Sequence, residues 1–318
     1  LTERFILKYF TNDLLAPLHD GAQFPVSSGR MAFTTDSYVV QPTFFPGGNI
    51  GKLAVCGTVN DLAMNGAVPQ YLSCGLILEE GLPFDELEEI LSTMADMAKL
   101  ANVQIVTGDT KVVKKGEVDK IYINTAGIGM IPEDIHIGPN FVKPNMDIIL
   151  SGSIGDHSIA VMGERFGLEL SNSIKTDCAP LNHMVHAVLQ EVGPQVTLLR
   201  DPTRGGVGTV LKEIAEQSQV GIKVEESQFV IHDEVKSVCD ILGYDPLYLA
   251  NEGKCIFVVD PTVTDRVLDI LHGFQEGREA TRIGVTMDKN IGKVGLQTSI
   301  GGVRLVDLLG EDQVPRIC

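Results

Sequence analysis

Tryptophan is absent from the 318 residues, and positive charge is scarce: 25 Lys and Arg stand against 42 Asp and Glu, a formal charge of −17. A field of that sign repels nucleic acid and anionic lipid, so neither is expected as a ligand. Much of the acid lies on helix faces such as Asp85, Glu86, Glu88 and Glu89, where it solvates a surface. No apolar run approaches the ~20 residues that a membrane helix needs, so no membrane association is expected. The opening Leu1-Thr-Glu-Arg-Phe has neither a signal-peptide layout nor an initiator Met. It reads as the inside of a helix, and a native segment is expected to precede it. The six cysteines, Cys56, Cys74, Cys178, Cys239, Cys255 and Cys318, never pair as CxxC. That argues against a zinc ribbon or a thioredoxin-type site. All but Cys318 sit in apolar or helical segments, as expected for small buried thiols of a cytoplasmic protein.

Hydrophobic residues make up 44%, enough for two ordinary cores. In the first half, strands are expected over 33–40, 71–78, 103–106 and 120–130, and helices over 50–66 and 83–100. Leu87, Ile90, Leu91, Met94, Met97 and Ala98 give the second helix its spacing. Residues 132–146 are rich in Pro, Gly and Asn and mark a boundary. Beyond it, strands are expected over 147–151, 196–199, 222–225, 254–259, 280–285 and 303–306. Helices are expected over 156–166, 181–192, 207–217, 233–242 and 263–272. This order predicts two α/β (α+β) domains, 1–146 and 147–309, followed by a mobile tail, 310–318.

Three motifs are near misses. Gly47-Gly48-Asn49-Ile50-Gly51-Lys52 resembles a P-loop, but Pro46 stands where its first Gly belongs and Leu53 replaces the magnesium-binding hydroxyl. Ser151-Gly152-Ser153-Ile154-Gly155 has Ser for the first Gly of a nucleophile elbow. His183 and His186 share a helix face without a third ligand in view and read as surface residues.

The acids Asp36, Asp61, Asp109, Asp201 and Glu252 stand in apolar or Gly-rich settings instead of on helix faces. Isolated acids rarely lie there unless something offsets their desolvation. Converging aspartates would bind a hard cation, which would bridge them to nucleotide phosphates, and Lys52, Lys111 and Arg204 could neutralise phosphate directly. The competing reading makes each acid a turn or cap residue, and spacing alone leaves convergence open. A second signal is the end, Gln313-Val314-Pro315-Arg316-Ile317-Cys318. A terminal cysteine is either incidental or a swinging covalent carrier, because a thiolate is nucleophilic near neutral pH. It does not fit a prenylation box.

The runs Thr35-Asp36-Ser37-Tyr38-Val39-Val40, Phe44 to Leu53, Tyr71-Leu72-Ser73-Cys74-Gly75, Thr107-Gly108-Asp109-Thr110-Lys111-Val112, Asp201 to Gly206, Asn251-Glu252-Gly253-Lys254 and Pro315-Arg316-Ile317-Cys318 closely resemble the HypE family. These are hydrogenase-maturation factors of the aminoimidazole ribonucleotide synthetase (PurM-like) superfamily. The resemblance covers nearly the whole chain, and its terminal Pro-Arg-Ile-Cys is the most specific part. It implies a PurM-like two-domain fold, with the N-terminal sheet pairing into a dimer barrel and ATP bound between the domains. The family's glycine-rich N-terminal segment, which covers the nucleotide, is not in this sequence.

The resemblance also implies a reaction. The carbamoyltransferase HypF loads a carbamoyl group on Cys318, and ATP with Mg2+ drives its dehydration to a thiocyanate. The nitrile then passes to iron on a HypC–HypD complex, for the cyanide ligands of [NiFe]-hydrogenase. Asp36, Asp61, Asp109 and Asp201 are then the magnesium ligands. Lys52, Asn60, Thr110 and Arg204 aid the nucleotide, and Glu252 and Lys111 are the candidate bases beside Cys318. Two rivals remain: another ATP-using member of the superfamily, such as selenophosphate synthetase or thiamine monophosphate kinase, and a non-catalytic assembly scaffold. Bound nickel or iron without ATP hydrolysis would favour the scaffold, and Cys318→Ala tests the other rival. It should abolish turnover under the carrier reading, and undiminished ATP-dependent turnover in that variant would favour another superfamily enzyme.

Overall fold

The computed structural model describes residues 5–10, 12, 29–167, 174–309, 313–314 and 316–318. The helical reading of the first four residues, and positions 310–312 and 315 of the tail, lie outside them. The first half runs α1 (Leu7–Phe10), β1 (Arg30–Tyr38), β2 (Phe44–Phe45), β3 (Gly48–Asn49), α2 (Ile50–Met64), β4 (Val68–Glu79), α3 (Phe84–Leu100), β5 (Gln104–Val113) and β6 (Ile121–Ile131). Its main sheet has the order β1-β6-β4-β5, with β4 and β5 parallel and the other pairs antiparallel.

The second half runs β7 (Asp147–Leu150), α4 (Asp156–Phe166), α5 (Asn182–Val192), β8 (Val196–Arg200), α6 (Gly206–Gln217) and β9 (Gly221–Glu225). It continues with α7 (Asp233–Leu242), β10 (Ile256–Val259), α8 (Thr264–His272), β11 (Thr281–Met287), β12 (Val294–Gln297) and β13 (Val303–Val306). These strands form one sheet of order β13-β12-β9-β11-β7-β10-β8. Leu211 and Ile214 of α6 cover one face, packed with Ile222 and Val258. Val188 of α5 and Val267 of α8 cover the other, packed with Ile149 and Phe257.

Some elements depart from the sequence pattern. The strand expected over 103–106 continues through Asp109 to Val113, because Tyr71–Glu79 of β4 pairs with it along its length. The short α1, β2 and β3 were not expected, nor was β12, whose four residues are too brief to stand out and are held between β9 and β13.

The helix α2 lies between the halves, and only Lys52 and Asp61 of its fifteen residues escape full burial. A helix apolar on every side belongs in an interior. Small residues let its neighbours close in: a Cβ on Gly57 would meet the Tyr38 hydroxyl at 2.2 Å. The first sheet turns Ala32 and Tyr38 toward α2. Its opposite face carries Met31, Phe33 and Ile77, which are exposed.

The strip from Asn251 to Cys255 crosses the 176–179 segment so closely that a Cβ on Gly253 would lie 1.8 Å from the Asp177 carbonyl oxygen. Gly253→Ala must therefore push backbone apart. We expect a loss of about 1–3 kcal/mol or more in unfolding by urea, and an unchanged midpoint would contradict this packing.

Candidate active site

Lys52 and Asp61 are nine residues apart on α2, about 180° around a helix of 3.6 residues per turn. They therefore serve different cavities. Asp61 joins Arg200, Asp201, Thr203 and Arg204 in the wall of a cavity of about 700 Å³. Lys52 lines one of about 300 Å³ with Thr176, Asp177 and Lys254, and its ammonium donates to the Gly47 carbonyl. The expected pair of Lys52 and Asp61 is thus divided between two cavities by helical phase.

Asn60 is buried on the same helix. Its amide donates to the carbonyls of Ala179 and Glu252, and its Oδ1 accepts from the Leu181 N–H at 2.8 Å. These bonds to backbone tie α2 to the second half.

Asp36 and Asp61 converge with Asp201. Thr34 of β1 donates to Asp61 at 2.7 Å, and Tyr38 donates to Asp36 at 3.3 Å. Burial followed by the nearby Asp61 raises the Asp36 carboxyl, and burial raises Asp61. Asp201 is pushed up to about 7, by burial first and then by Asp61, against the pull of Arg200. Glu252 is buried, and its Oε1 has no hydrogen-bond partner. Its carboxyl is raised well above the usual range, by burial first and then by Asp201, Asp177 and Asp36. Four acids thus share one electrostatic neighbourhood, which favours the neutral form of Glu252.

Asp109 does not join them within one chain. Ser37, Asn124, Gly75 and Asp109 lie in line across β1, β6, β4 and β5. Three strand spacings put Asp109 roughly 14 Å from Ser37. Residues directly opposite one another share a face, so Asp109 is on the open face and Asp36, one residue from Ser37, is on the α2 face. Asp109 instead pairs with Lys111 at 2.9 Å and accepts from the Thr110 N–H at 2.8 Å. Asp109 and Lys111 therefore stand apart from the crevice of their own chain, while Thr110, opposite Leu76, keeps to the α2 face on the edge strand.

The tail is docked. The Cys318 carbonyl accepts from the Val39 N–H at 3.2 Å, and Ile317 is buried. Cys318 lines a cavity of about 320 Å³ with Ser37, Ser158, Arg204 and Gly205. Arg204 and Gly205 also line the large cavity, so the thiol and the aspartates face a shared wall. The other five cysteines are buried, as expected.

Residues 19–131 match the family model of the AIR synthase related protein, N-terminal domain, and 143–297 match that of its C-terminal domain. Carbamoyl dehydratase HypE of Rhizobium leguminosarum bv. viciae is 48% identical over the whole chain and 91% of that protein. The chain belongs to the HypE family. The Escherichia coli K12 carbamoyl dehydratase HypE is 43% identical over 100% of this chain and 95% of its own. A crystal structure of HypE in complex with ATP superposes with a TM-score of 0.96 at 44% identity, covering 100% of this chain and 96% of that one. The PurM-like α/β fold expected from the sequence is thereby established, and HypE relatives are enzymes by name.

Sequence reasoning gave no role to Arg200, His157, Thr176, Asp177 or Lys254. Lys254 was visible inside the Asn251-Glu252-Gly253-Lys254 run, and it forms a buried ion pair with Asp177 at 3.4 Å. Arg200 likewise stood beside Asp201, while His157, Thr176 and Asp177 carried no local signal.

An acid raised by folding contributes stability fully below its unfolded range, and that contribution is lost as pH climbs through the folded value. For Asp201 the loss runs from about pH 4 to about 7. Asp201→Asn should therefore gain on the wild type in urea midpoint between pH 5 and pH 8. Equal differences at both pH values would remove the basis for a proton on Asp201.

Proposed function

We propose that this chain is an ATP-dependent dehydratase that turns a carbamoyl group on Cys318 into a thiocyanate, in the cytoplasm, for the cyanide ligands of [NiFe]-hydrogenase. The observation that carries the reading is the wall of Arg204 and Gly205 shared by the Cys318 cavity and the large acidic cavity. A loaded thiol and a nucleotide bound in these two cavities would be within reach of each other, which supports the reading. The relatives named carbamoyl dehydratase, and the HypE structure with ATP, support it.

The nucleotide would occupy the 700 Å³ cavity, with Arg204 toward its phosphates. Among the described residues no three His, Cys, Asp or Glu side chains form a ready metal cage. The donor set still fits magnesium, which binds nucleotides through one or two carboxylates plus phosphates. Asp36, Asp61 and Asp201 are all-oxygen donors whose mutual repulsion a cation would relieve. Bound there, the ion would neutralise phosphate charge and make phosphoryl transfer easier.

The chemistry needs an activated oxygen and the removal of two protons. ATP phosphorylates the carbamoyl oxygen and releases ADP; one N–H proton leaves as the C=N bond forms. Phosphate then departs as the second N–H proton is lost, leaving S–C≡N on Cys318. Glu252 is the candidate for a proton-transfer role. Its raised pKa means that it must first give up a proton, and charge neutralisation of Asp201 and Asp36 would favour that. HypF is proposed as the carbamoyl donor, and a HypE–HypF complex has been solved whose HypE fold matches at a TM-score of 0.85. The HypC–HypD complex is proposed as nitrile acceptor. The open face with Met31, Phe33 and Ile77 suits a homodimer, in which Asp109 and Lys111 would act against the paired chain. Residues 1–146, 147–309 and 310–318 are proposed as the functional units.

Intact mass after incubation with HypF, carbamoyl phosphate, magnesium and ATP tests the reading. A carbamoyl adduct that loses one water only with ATP, and never appears in Cys318→Ala, is the expected result. No adduct beside demonstrably active HypF would refute it. Glu252→Gln should retain ATP binding by calorimetry, yet stop at the carbamoyl adduct; wild-type water loss would sink its proton-transfer role.

A further inference from the structure

The helix α4 grips the tail twice, both times on main-chain oxygen. His157 is fully buried and lies 2.9 Å through Nε2 from the Ile317 carbonyl. Arg165, two turns on, donates from Nη2 to the Arg316 carbonyl at 2.6 Å and from Nε to the Gln41 carbonyl at 2.7 Å. A carbonyl only accepts, so the His157 proton must sit on Nε2. The other ring nitrogen enforces this. The Cys178 N–H donates to Thr176 Oγ1 at 3.0 Å, which directs the hydroxyl proton to His157 Nδ1 at 2.7 Å. Phe45 packs edge-on to the ring with centroids 5.6 Å apart and fixes its plane. The result is a relay from the 176–178 segment through His157 to the residue before Cys318.

We propose that His157 and Arg165 form a latch that holds the tail docked through the Ile317 and Arg316 carbonyls, making His157 a positioning residue for Cys318. Burial keeps the imidazole in its neutral form, consistent with its single outward proton. Both grips lie upstream of the sulfur, so a group can be built or removed on Cys318 without altering either donor–acceptor pair. Release instead requires the tail backbone to leave as a unit. It also breaks the pairing of the Cys318 carbonyl with the Val39 N–H and of the Arg316 carbonyl with the Gln41 N–H at 3.4 Å. The Arg316 guanidinium adds a third hold on this path, with Asp119 at 2.5 Å and the Val39 carbonyl at 3.2 Å. The latch thus controls when Cys318 is presented, which matters to catalysis only if the carrier reading above is right.

Alkylation of Cys318 by iodoacetamide, followed by intact mass, reads the latch directly. The other five cysteines are buried, and Cys318→Ala supplies the blank. His157→Asn leaves an amide too short for the Ile317 carbonyl and should speed labelling about fivefold, the equilibrium weight of one net hydrogen bond. His157→Gln places an amide N–H near the Nε2 position and should bring the rate back toward wild type, which a general packing defect would not do. Arg165→Met removes the second grip from a partly exposed site and decides the matter if the buried variants fail to fold. Wild-type labelling rates in folded His157→Asn and Arg165→Met would overturn the latch. Faster labelling together with no carbamoyl adduct on wild type would keep the latch and discard the carrier reading.

Discussion

Complete burial of α2 is the constraint on which the rest of the structure depends. A helix enclosed on all sides cannot be satisfied by one sheet alone, so the two halves must meet over it. Asn60 makes that meeting specific. Its three hydrogen bonds reach backbone at Ala179, Leu181 and Glu252, and a buried amide left without them would carry a desolvation penalty of about 1–3 kcal/mol. The same helix then has two outlets only, Lys52 and Asp61, and their opposite phases divide the crevice into two polar chambers.

The acidic chamber is assembled against electrostatic preference. Asp36, Asp61, Asp201 and Glu252 come from β1, α2, the end of β8 and the strip before β10, so only tertiary packing brings them together. Like charges in a partly desolvated site favour the protonated form, and the carboxyls of Asp201 and Glu252 are both raised. Such a site gains from whatever neutralises it, a proton or a cation alike. The buried Asp177–Lys254 pair sits on the other side of Glu252, whose N–H donates to Asp177 Oδ1 at 3.1 Å. Glu252 is therefore held in place by backbone while its own carboxyl keeps an unpartnered oxygen.

The tail gives the thiol its setting. The sequence pattern there is aperiodic, which led to the expectation of mobility, while the structure shows the last residues strung along Val39 to Gln41. The two descriptions meet in a short segment held by main-chain bonds to Val39 and Gln41, by the side chains of His157, Arg165 and Asp119, and by one buried isoleucine. Such an attachment is strong enough to populate a docked state and weak enough to be exchanged on binding a partner.

The sequence by itself determined which residue types could do chemistry, the helices and most strands, and the family likeness, because periodicity and short motifs are local properties. Asp36, Asp61, Asp201, Glu252 and Cys318 were legible as acids and a thiol in unusual settings. Only the tertiary structure decided which of them meet. Helical phase separated Lys52 from Asp61, strand alternation sent Asp109 and Lys111 to the open face, and hydrogen bonding committed Asn60 to backbone. His157 and Thr176 were silent in the sequence for the same reason: their partners lie 160 and 19 residues away. A motif specifies donors and acceptors, but direction across a helix or sheet, and contact between distant segments, exist only once the chain has folded.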